Sequence, residues 1–317
     1  MDHRPTSRRR LAVAALVLAA GLGAAAPPAG ADRGHRHDGY DLPEAGILLE
    51  GIGYDRRAGV IYVSGVNDGG RIYRAEVGSG ALDVWQPGNT DGRTTARGID
   101  VDRDGRVFVA GGPSGRAFVY ARSGELLAAL EAPAGTFFND VWVGRDGSTY
   151  VTNSNQPQIW RISEAAGVWS LDLWLDAADQ IPVVVGAGQF NLGGIVATPD
   201  GRYLLVAQGN SGRLWRVTVA TREVVEVDLG GTALTNADGI VLAGRTLWVV
   251  QNFSRQVTEV ALRDGFASGR IKEVTPTPAD RTFTTAKLVR GQLLAVDSQF
   301  GLPQPSPADD RVIPVDR

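Results

Sequence analysis

Short stretches of alternating hydrophobic and polar residues recur along the chain, and each is followed by a turn and a second stretch of the same kind. The clearest example runs from Phe137 to Thr152, where two alternating segments flank the turn Arg145-Asp146-Gly147. Alternation with a period of two predicts β-strands, and two such strands around an Asp-Gly turn predict an antiparallel hairpin. The chain is therefore predicted to be built from β-hairpins.

The hairpin unit occurs six times at nearly regular intervals. Successive copies begin 42 to 52 residues apart, and their first residues are Glu50, Arg97, Asn139, Asn191, Asp238 and Thr285. Repeats of about 40–50 residues built from short strands are typical of β-propeller blades, which have four strands each. A solenoid fits less well, because it needs helical repeats or much shorter coils. The sequence predicts an all-β, six-bladed β-propeller with four-stranded antiparallel blades.

The two ends of the propeller are predicted to share the last blade. Residues 40–42 precede the first repeat at the distance at which an outer strand precedes the other repeats, and residues 311–315 form a further hydrophobic segment after the sixth repeat. We expect the N-terminal segment to be the outermost strand of blade six and the C-terminal segment to be its inner neighbour. This arrangement would close the ring and leave few open strand edges.

The first 31 residues have the composition of an export signal. Arg8-Arg9-Arg10 forms a basic start, residues 11–26 are largely apolar, and Ala29-Gly30-Ala31 offers small residues for cleavage. The apolar run is short for a membrane span, and the arginines also fit a twin-arginine signal. We therefore predict a signal peptide at residues 1–31 and a secreted, extracellular protein, with the twin-arginine pathway as one route of export.

We divide the rest of the chain into a flexible tail at 32–39 and a single propeller domain at 40–317. Its composition limits the partners that it can bind. The net charge is −3, and removal of the signal peptide would leave −6. A negative protein is a poor partner for nucleic acid or an anionic membrane. The chain has no cysteine, so disulfides cannot stabilise it. We expect a monomer that acts on a small molecule.

The first residues of the six repeats are the candidates for a functional site. Inner strands run along the propeller axis, so these residues should converge at one mouth of the central channel. Polar strand ends are ordinary one at a time, but Glu, Asn, Asn and Asp at equivalent points of four repeats exceed what strand propensity predicts. Glu50, Asn139, Asn191 and Asp238 would supply oxygen ligands for one divalent cation. Such ligands favour Ca²⁺, with Mn²⁺, Mg²⁺ or Zn²⁺ as alternatives.

Other reaction classes lack their residues. The only histidines after the signal peptide, His35 and His37, lie in the tail, and no phosphate-binding glycine loop is present. The segment 100–105 resembles the start of a calcium loop, but its Asp-Gly pair recurs at the same place in Asp146-Gly147 and Asp200-Gly201, which indicates a hairpin turn. Metal-assisted chemistry with a carboxylate as proton acceptor remains.

The motifs at the predicted mouth resemble those of the senescence marker protein/gluconolactonase family, which includes regucalcin. The resemblance lies in Glu50-Gly51, Asn139-Asp140, Asn191 before Pro199-Asp200-Gly201-Arg202, and Asp238-Gly239. It implies a six-bladed propeller with one divalent metal at the mouth of the channel. It also implies Glu50, Asn191 and Asp238 as ligands, Asn139 as a ligand or substrate contact, and Asp238 as the general base.

The chain is more similar still to a secreted actinobacterial branch with Thr-Phe-Phe-Asn-Asp and Leu-Thr-Asn-Ala-Asp-Gly motifs. Members of that branch are sometimes labelled superoxide dismutase, an activity that this sequence does not support because it has no histidine cluster. Two positions depart from the family pattern. Gly193 stands where the family has Asn before the Gly-Ile of blade four, and Phe137 stands where it has Arg.

From these observations we expect a secreted, metal-dependent hydrolase of a lactone or related small cyclic ester. Asp238 is the predicted catalytic base, and Arg97, Asn139 and Thr285 are the predicted substrate contacts. The alternative is a non-catalytic propeller that binds a ligand or a protein and keeps the metal for structure. The altered blade-four motif, with Gly193 in place of Asn, favours this alternative.

Overall fold

The computed structural model describes residues 39–186, 188–302 and 311–315, and its regular elements are all β-strands. Five antiparallel sheets have four strands in sequence order, and a sixth has three. The predicted signal peptide, with His35 and His37 and nearly all of the predicted tail, lies outside the described residues. In the described part of the chain, no helix is long and apolar enough to cross a membrane.

The first three blades follow one another along the chain, and each has its strands in sequence order from the axis outwards. Blade one consists of β1 (Leu49–Asp55), β2 (Val60–Gly65), β3 (Ile72–Glu76) and β4 (Asp83–Gln86). Blade two consists of β5 (Ile99–Val101), β6 (Val107–Ala110), β7 (Arg116–Tyr120) and β8 (Leu126–Glu131). Blade three consists of β9 (Phe138–Val143), β10 (Thr149–Asn153), β11 (Gln158–Ala165) and β12 (Val168–Asp176).

The last three blades repeat this order. Blade four consists of β13 (Leu192–Ala197), β14 (Tyr203–Gln208), β15 (Arg213–Thr218) and β16 (Val224–Glu226). Blade five consists of β17 (Ala237–Ala243), β18 (Thr246–Gln251), β19 (Gln256–Leu262) and β20 (Gly269–Pro276). Blade six consists of β21 (Phe283–Val289), β22 (Gln292–Asp297) and β23 (Val312–Val315).

The inner strands form a closed ring. Each of β1, β5, β9, β13 and β17 contacts the inner strand of the next blade, and β21 contacts β1. The hydrophobic core is divided among the spaces between blades, where Tyr62 and Ile72 of blade one, for example, pack with Val107 and Phe118 of blade two. A single blade could not bury both of its apolar faces, whereas the ring buries both. The predicted six-bladed propeller is confirmed.

The two ends of the chain meet in blade six, as the sequence predicted. The backbone N of Tyr40 donates to the carbonyl of Val312 (2.9 Å), and the backbone N of Arg311 donates to the carbonyl of Tyr40 (2.9 Å). β23 pairs with β22 on its other side. The Arg311 side chain is fully buried and donates to the carbonyls of Ile47 (2.8 Å) and Asp297 (2.9 Å). The N-terminal and C-terminal segments thus complete the last blade together.

Glycines near the start of the inner strands let neighbouring blades approach closely. A Cβ atom at Gly51 would lie 2.5 Å from the carbonyl oxygen of Arg97, and one at Gly194 would overlap the carbonyl oxygen of Asp238. Gly98 and Gly239 are confined in the same way by the next blade. Contacts this short are not possible for a real side chain, so only glycine fits where these strands meet.

Candidate active site

A β-bulge at the start of the inner strands turns polar side chains towards the axis. In β1 the pairing with β2 passes from Leu49 directly to Ile52, so that Glu50 and Gly51 share one opposing residue. The same irregularity falls between residues 138 and 141 in β9, 192 and 195 in β13, and 237 and 240 in β17. Bulges of this kind re-aim a side chain. The first bulge residues are Glu50, Asn139, Gly193 and Asp238.

Three of these side chains face one small cavity at the mouth of the channel, which we call the acidic cavity. It has a volume of ≈ 10 Å³, and Glu50, Asn139, Asp140 and Asp238 line it together with Thr284, Thr285 and glycines. This volume is close to the space that a single water molecule needs. Blades one, three and five therefore bring polar groups to the same point on the axis.

Asn191 does not line the acidic cavity, because strand register places Gly193 at the equivalent position of blade four. The side chain of Asn191 is buried against the loop that follows β12. Its Oδ1 accepts from the backbone N of Val184 (2.8 Å), and its Nδ2 donates to the carbonyl of Val184 (3.1 Å). The expectation that Asn191 points to the axis assumed a register two residues away from the one that the strand pairing shows.

In blade six, the residue that corresponds to Glu50 comes one position earlier in the chain than the sequence analysis predicted. Its ladder passes from Phe283 to Thr285, which makes Thr284 the counterpart of Glu50. The hydroxyl of Thr284 donates to the carbonyl of Glu50 (2.8 Å) and so ties blade six to blade one. Thr285, the residue predicted from the sequence to contact substrate, also lines the acidic cavity. Its role as a substrate contact stays a prediction.

Glu50 is paired with Arg97 at the edge of the acidic cavity. The distance from Arg97 Nη1 to Glu50 Oε2 is 3.2 Å, and both side chains are largely buried. Burial raises the pKa of Glu50 above its ordinary value, and the guanidinium of Arg97 opposes this rise through its charge and its hydrogen bond. The buried Nε of Arg97 has no hydrogen-bond partner among the described residues. The Arg97 side chain is 20% exposed, so the exposed part of its guanidinium could contact an oxygen-rich ligand.

Asp238 is oriented by a residue that the sequence did not single out. Asn252 follows β18 and donates from Nδ2 to Asp238 Oδ2 at 2.8 Å. Burial raises the pKa of Asp238 well above its ordinary value, and the negative charge of Glu50 raises it further. A carboxylate with a raised pKa accepts a proton more readily than an exposed one, which suits a general base.

Asp140 is a third acidic residue of the site, and the sequence analysis did not assign it a role. Its Oδ2 accepts from the backbone N of Ile195 (3.1 Å), and its Oδ1 accepts from the backbone N of Val141 (2.9 Å). Burial raises the pKa of Asp140 to about 7. The only sequence signal was a carboxylate beside Asn139 inside a strand, where acidic residues are uncommon.

A larger cavity of ≈ 180 Å³ continues along the channel beyond the acidic cavity. Asp140 and Thr285 line both cavities and therefore separate them. Inner-strand side chains line the larger cavity, and among them Lys287 lies 2.6 Å from Asp100 through its Nζ. Asp100, which opens the segment resembling a calcium loop, is thus engaged in an ion pair inside the channel.

The acidic cavity has a donor set that fits a hard divalent cation. Glu50 and Asp238 supply carboxylate oxygens and Asn139 supplies an amide oxygen, which are ligands preferred by Ca²⁺ and Mg²⁺. The charges of Glu50 and Asp140 both raise the pKa of Asp238, a repulsion that a cation would relieve. In the described residues, no three His, Cys, Asp or Glu side chains form a ligand cluster by themselves. A cation site here would therefore need the Asn139 amide.

The fold is shared with solved proteins of several activities, although no protein-family model and no curated protein matches the chain. The allergen Mala s 1 of Malassezia sympodialis is 18% identical with a TM-score of 0.64, covering 88% of this chain and 96% of the allergen. A gluconolactonase from Xanthomonas campestris is 16% identical with a TM-score of 0.61, covering 81% and 85%. A catalytically inactive virginiamycin B lyase from Staphylococcus aureus, solved with quinupristin, is 15% identical with a TM-score of 0.55, covering 86% and 96%. At these identities the similarity is one of fold.

Proposed function

We propose that this propeller hydrolyses a lactone or a related small cyclic ester at the mouth of its central channel. The observation that carries the proposal is the acidic cavity, where Glu50 and Asp238 come from blades one and five to face one point on the axis. Two acidic groups that face one small cavity are a typical arrangement for moving a proton.

Glu50, Asn139 and Asp238 would hold a divalent cation, because their oxygen atoms face the same cavity. When bound, the cation would supply Lewis-acid polarisation of the ester carbonyl. This assignment keeps the predicted ligands of blades one, three and five. Blade four then supplies no ligand, because Asn191 does not line the cavity and Gly193 has no side chain.

Asp238 would accept a proton from the attacking water, because its carboxylate faces the acidic cavity in which that water would lie. Asn252 holds the carboxylate in a fixed orientation through its 2.8 Å hydrogen bond. The ring oxygen that leaves would then take this proton as the ester opens to a hydroxy acid. Arg97, which is held beside the cavity by Glu50 and is 20% exposed, would orient the carbonyl end of the substrate.

The neighbours in structure support a lactonase before other hydrolases, since a gluconolactonase from Xanthomonas campestris shares the fold over 81% of this chain. Fold alone does not decide an activity. The proposal therefore depends on the acidic cavity, and the neighbour only indicates which ester to test first.

A panel of lactones, assayed by acid release with and without chelator, tests the proposal. We expect turnover that is lost in chelator and restored by one of Ca²⁺, Mn²⁺, Mg²⁺ or Zn²⁺. Asp238→Asn should lower kcat by about 10²–10⁴-fold, as removal of a general base does. Asp264→Asn is the matched control, because the Asp264 side chain is 93% exposed. Turnover that survives in Asp238→Asn would overturn the mechanism, and no turnover on any lactone would favour a non-catalytic binding protein.

A further inference from the structure

Four phenylalanines lie at the same edge of the propeller as the acidic cavity, and we call them the phenylalanine collar. Phe137 directly precedes β9, Phe190 lies in the loop before β13, Phe253 follows β18, and Phe300 follows β22. In an antiparallel blade, the start of the first strand and the end of the second lie at the same edge of the sheet. The four rings are therefore presented at the mouth of the channel.

The collar is continuous with the charged groups of the site through Arg97. The guanidinium carbon of Arg97 lies 5.4 Å from the ring centre of Phe137 and 5.9 Å from that of Phe300. Phe137 in turn meets Phe190 edge to face, with 5.6 Å between ring centres. Phe253 lies beside Gly301, where an added Cβ would be 3.7 Å from its ring. The rings and the guanidinium thus form one surface next to Glu50.

Part of this surface is open to solvent. Phe253 is 58% exposed and Phe190 is 39% exposed. The loop that carries Phe190 also exposes Val185, and Asn191 fixes this loop through its two hydrogen bonds to Val184. Exposed aromatic side chains grouped around a cavity indicate a binding surface. The loop between β12 and β13 therefore adds apolar area to the mouth.

The size of the acidic cavity determines what the collar can do. Its ≈ 10 Å³ volume holds about one water-sized group, such as the proposed cation. The substrate must therefore lie outside the cavity, over the collar. An aromatic ring or alkyl chain would bury its whole apolar surface against these rings, whereas a polyhydroxylated sugar ring has less apolar area to bury there.

We propose that the substrate has an apolar body, an aromatic ring or an alkyl chain, attached to the cyclic ester. This inference rests on the proposed hydrolysis and adds the chemical class of the substrate. The collar packs on the apolar body, and Arg97 lies between the rings and the acidic cavity, so that it meets the substrate where its polar and apolar parts join.

Kinetics on three lactones test the proposal: dihydrocoumarin with an aromatic body, undecanoic γ-lactone with an alkyl body, and glucono-δ-lactone with a polyol body. We expect kcat/KM to be at least about tenfold higher for an apolar lactone than for glucono-δ-lactone. Phe253→Ala and Phe190→Ala should each raise KM for the apolar lactones by about two- to tenfold, the range for one aromatic contact. Their kcat should change little, because neither ring contacts the acidic groups.

Leu173→Ala is the matched control, since Leu173 is 44% exposed and lies on β12, the outermost strand of blade three, three strands away from the axis. Equal effects of a Phe variant on all three lactones, or a preference for glucono-δ-lactone, would overturn the apolar substrate class and leave the hydrolysis standing. If no lactone is hydrolysed, calorimetry with the lactam 3,4-dihydro-2-quinolinone still decides. Binding that weakens in Phe253→Ala supports an apolar ligand, and absence of binding rejects it.

Discussion

Arg97 Nη1 lies 3.2 Å from Glu50 Oε2, although the two residues belong to different blades. This pair places a fixed positive charge beside the carboxylate that would hold a cation. The charge of Arg97 therefore lowers the affinity of the site for a cation, while its guanidinium orients a substrate. These two effects can be measured separately.

Arg97→Met should leave cation affinity unchanged or strengthen it by up to about tenfold, because a neighbouring like charge is removed. The same change should lower kcat/KM on lactones by about 10–100-fold, since one good charged hydrogen bond to substrate contributes about 1.5–3 kcal/mol. Calorimetry with Ca²⁺ and Mn²⁺ gives the affinity, and acid release gives the turnover. Weaker cation binding together with normal turnover would contradict both assignments.

Gly193→Asn should increase cation affinity. A Cβ atom at Gly193 would be 3.8 Å from the nearest atom, the carbonyl oxygen of Asp238, so an added side chain has room on the axis side of β13. An amide oxygen there would add a fourth protein ligand beside Glu50, Asn139 and Asp238. We expect the Kd for Ca²⁺ to fall by about tenfold in calorimetry. Gly193→Leu provides a control of similar size without an oxygen donor and should not bind more tightly than the wild type.

Gly194→Ala should destabilise the ring. A Cβ at Gly194 would overlap the backbone of β17, which cannot move aside without separating blades four and five. Overpacking of this kind costs about 1–3 kcal/mol or more. Gly193→Ala is the adjacent control and should change the free energy of unfolding by less than about 1 kcal/mol, since its Cβ has free space. Denaturant unfolding of both variants measures the difference, and equal stability would argue against tight contact between the inner strands.

Asp297, which lies where the ring closes, makes the stability of the folded protein depend on pH. Burial raises its pKa, and the backbone N of Thr282 and the cation of Arg311 only partly oppose the rise. Because the folded-state pKa lies above the unfolded value of about 3.9, its contribution to stability is fully present below that value and decreases as the pH rises through the folded-state pKa.

Asp297→Asn keeps an oxygen that can accept from Thr282 but removes this titration. Chemical unfolding at several values from pH 4 to pH 7 should show that the wild type loses more stability than the variant as the pH increases. A stability difference that stays constant, or that moves in favour of the wild type at higher pH, would contradict the raised pKa.

The fold could be predicted because its signals are local and repeated. Alternation fixes each strand, Asp-Gly fixes turns such as Asp146-Gly147, and six copies at similar spacing indicate the ring. The strand count also predicted that the segments containing Tyr40 and Val312 both contribute to blade six. The strands and turns depend on residues close together in the chain, and the ring and the shared blade follow from counting these local units.

The candidate site was less predictable because strand register depends on pairing across the sheet. Glycine has no side chain to report which face it occupies, so only the family resemblance, which puts Gly193 where the family has Asn, indicated that Gly193-Gly194 could form the bulge of blade four instead of Asn191. The collar was missed for a different reason. Phe253 and Phe300 lie in loops of different blades, and no pattern in sequence indicates that such loops meet.

The backbone hydrogen bond between Tyr40 and Val312 has a consequence for how the protein folds during synthesis. Nearly all of the chain lies between these two residues, so the circle stays open until the final strand has left the ribosome. Until then, the faces of blades one and six that will pack together remain uncovered. Removal of residues 40–42 or 311–315 should therefore disturb assembly of the whole propeller more than a deletion in an outer loop.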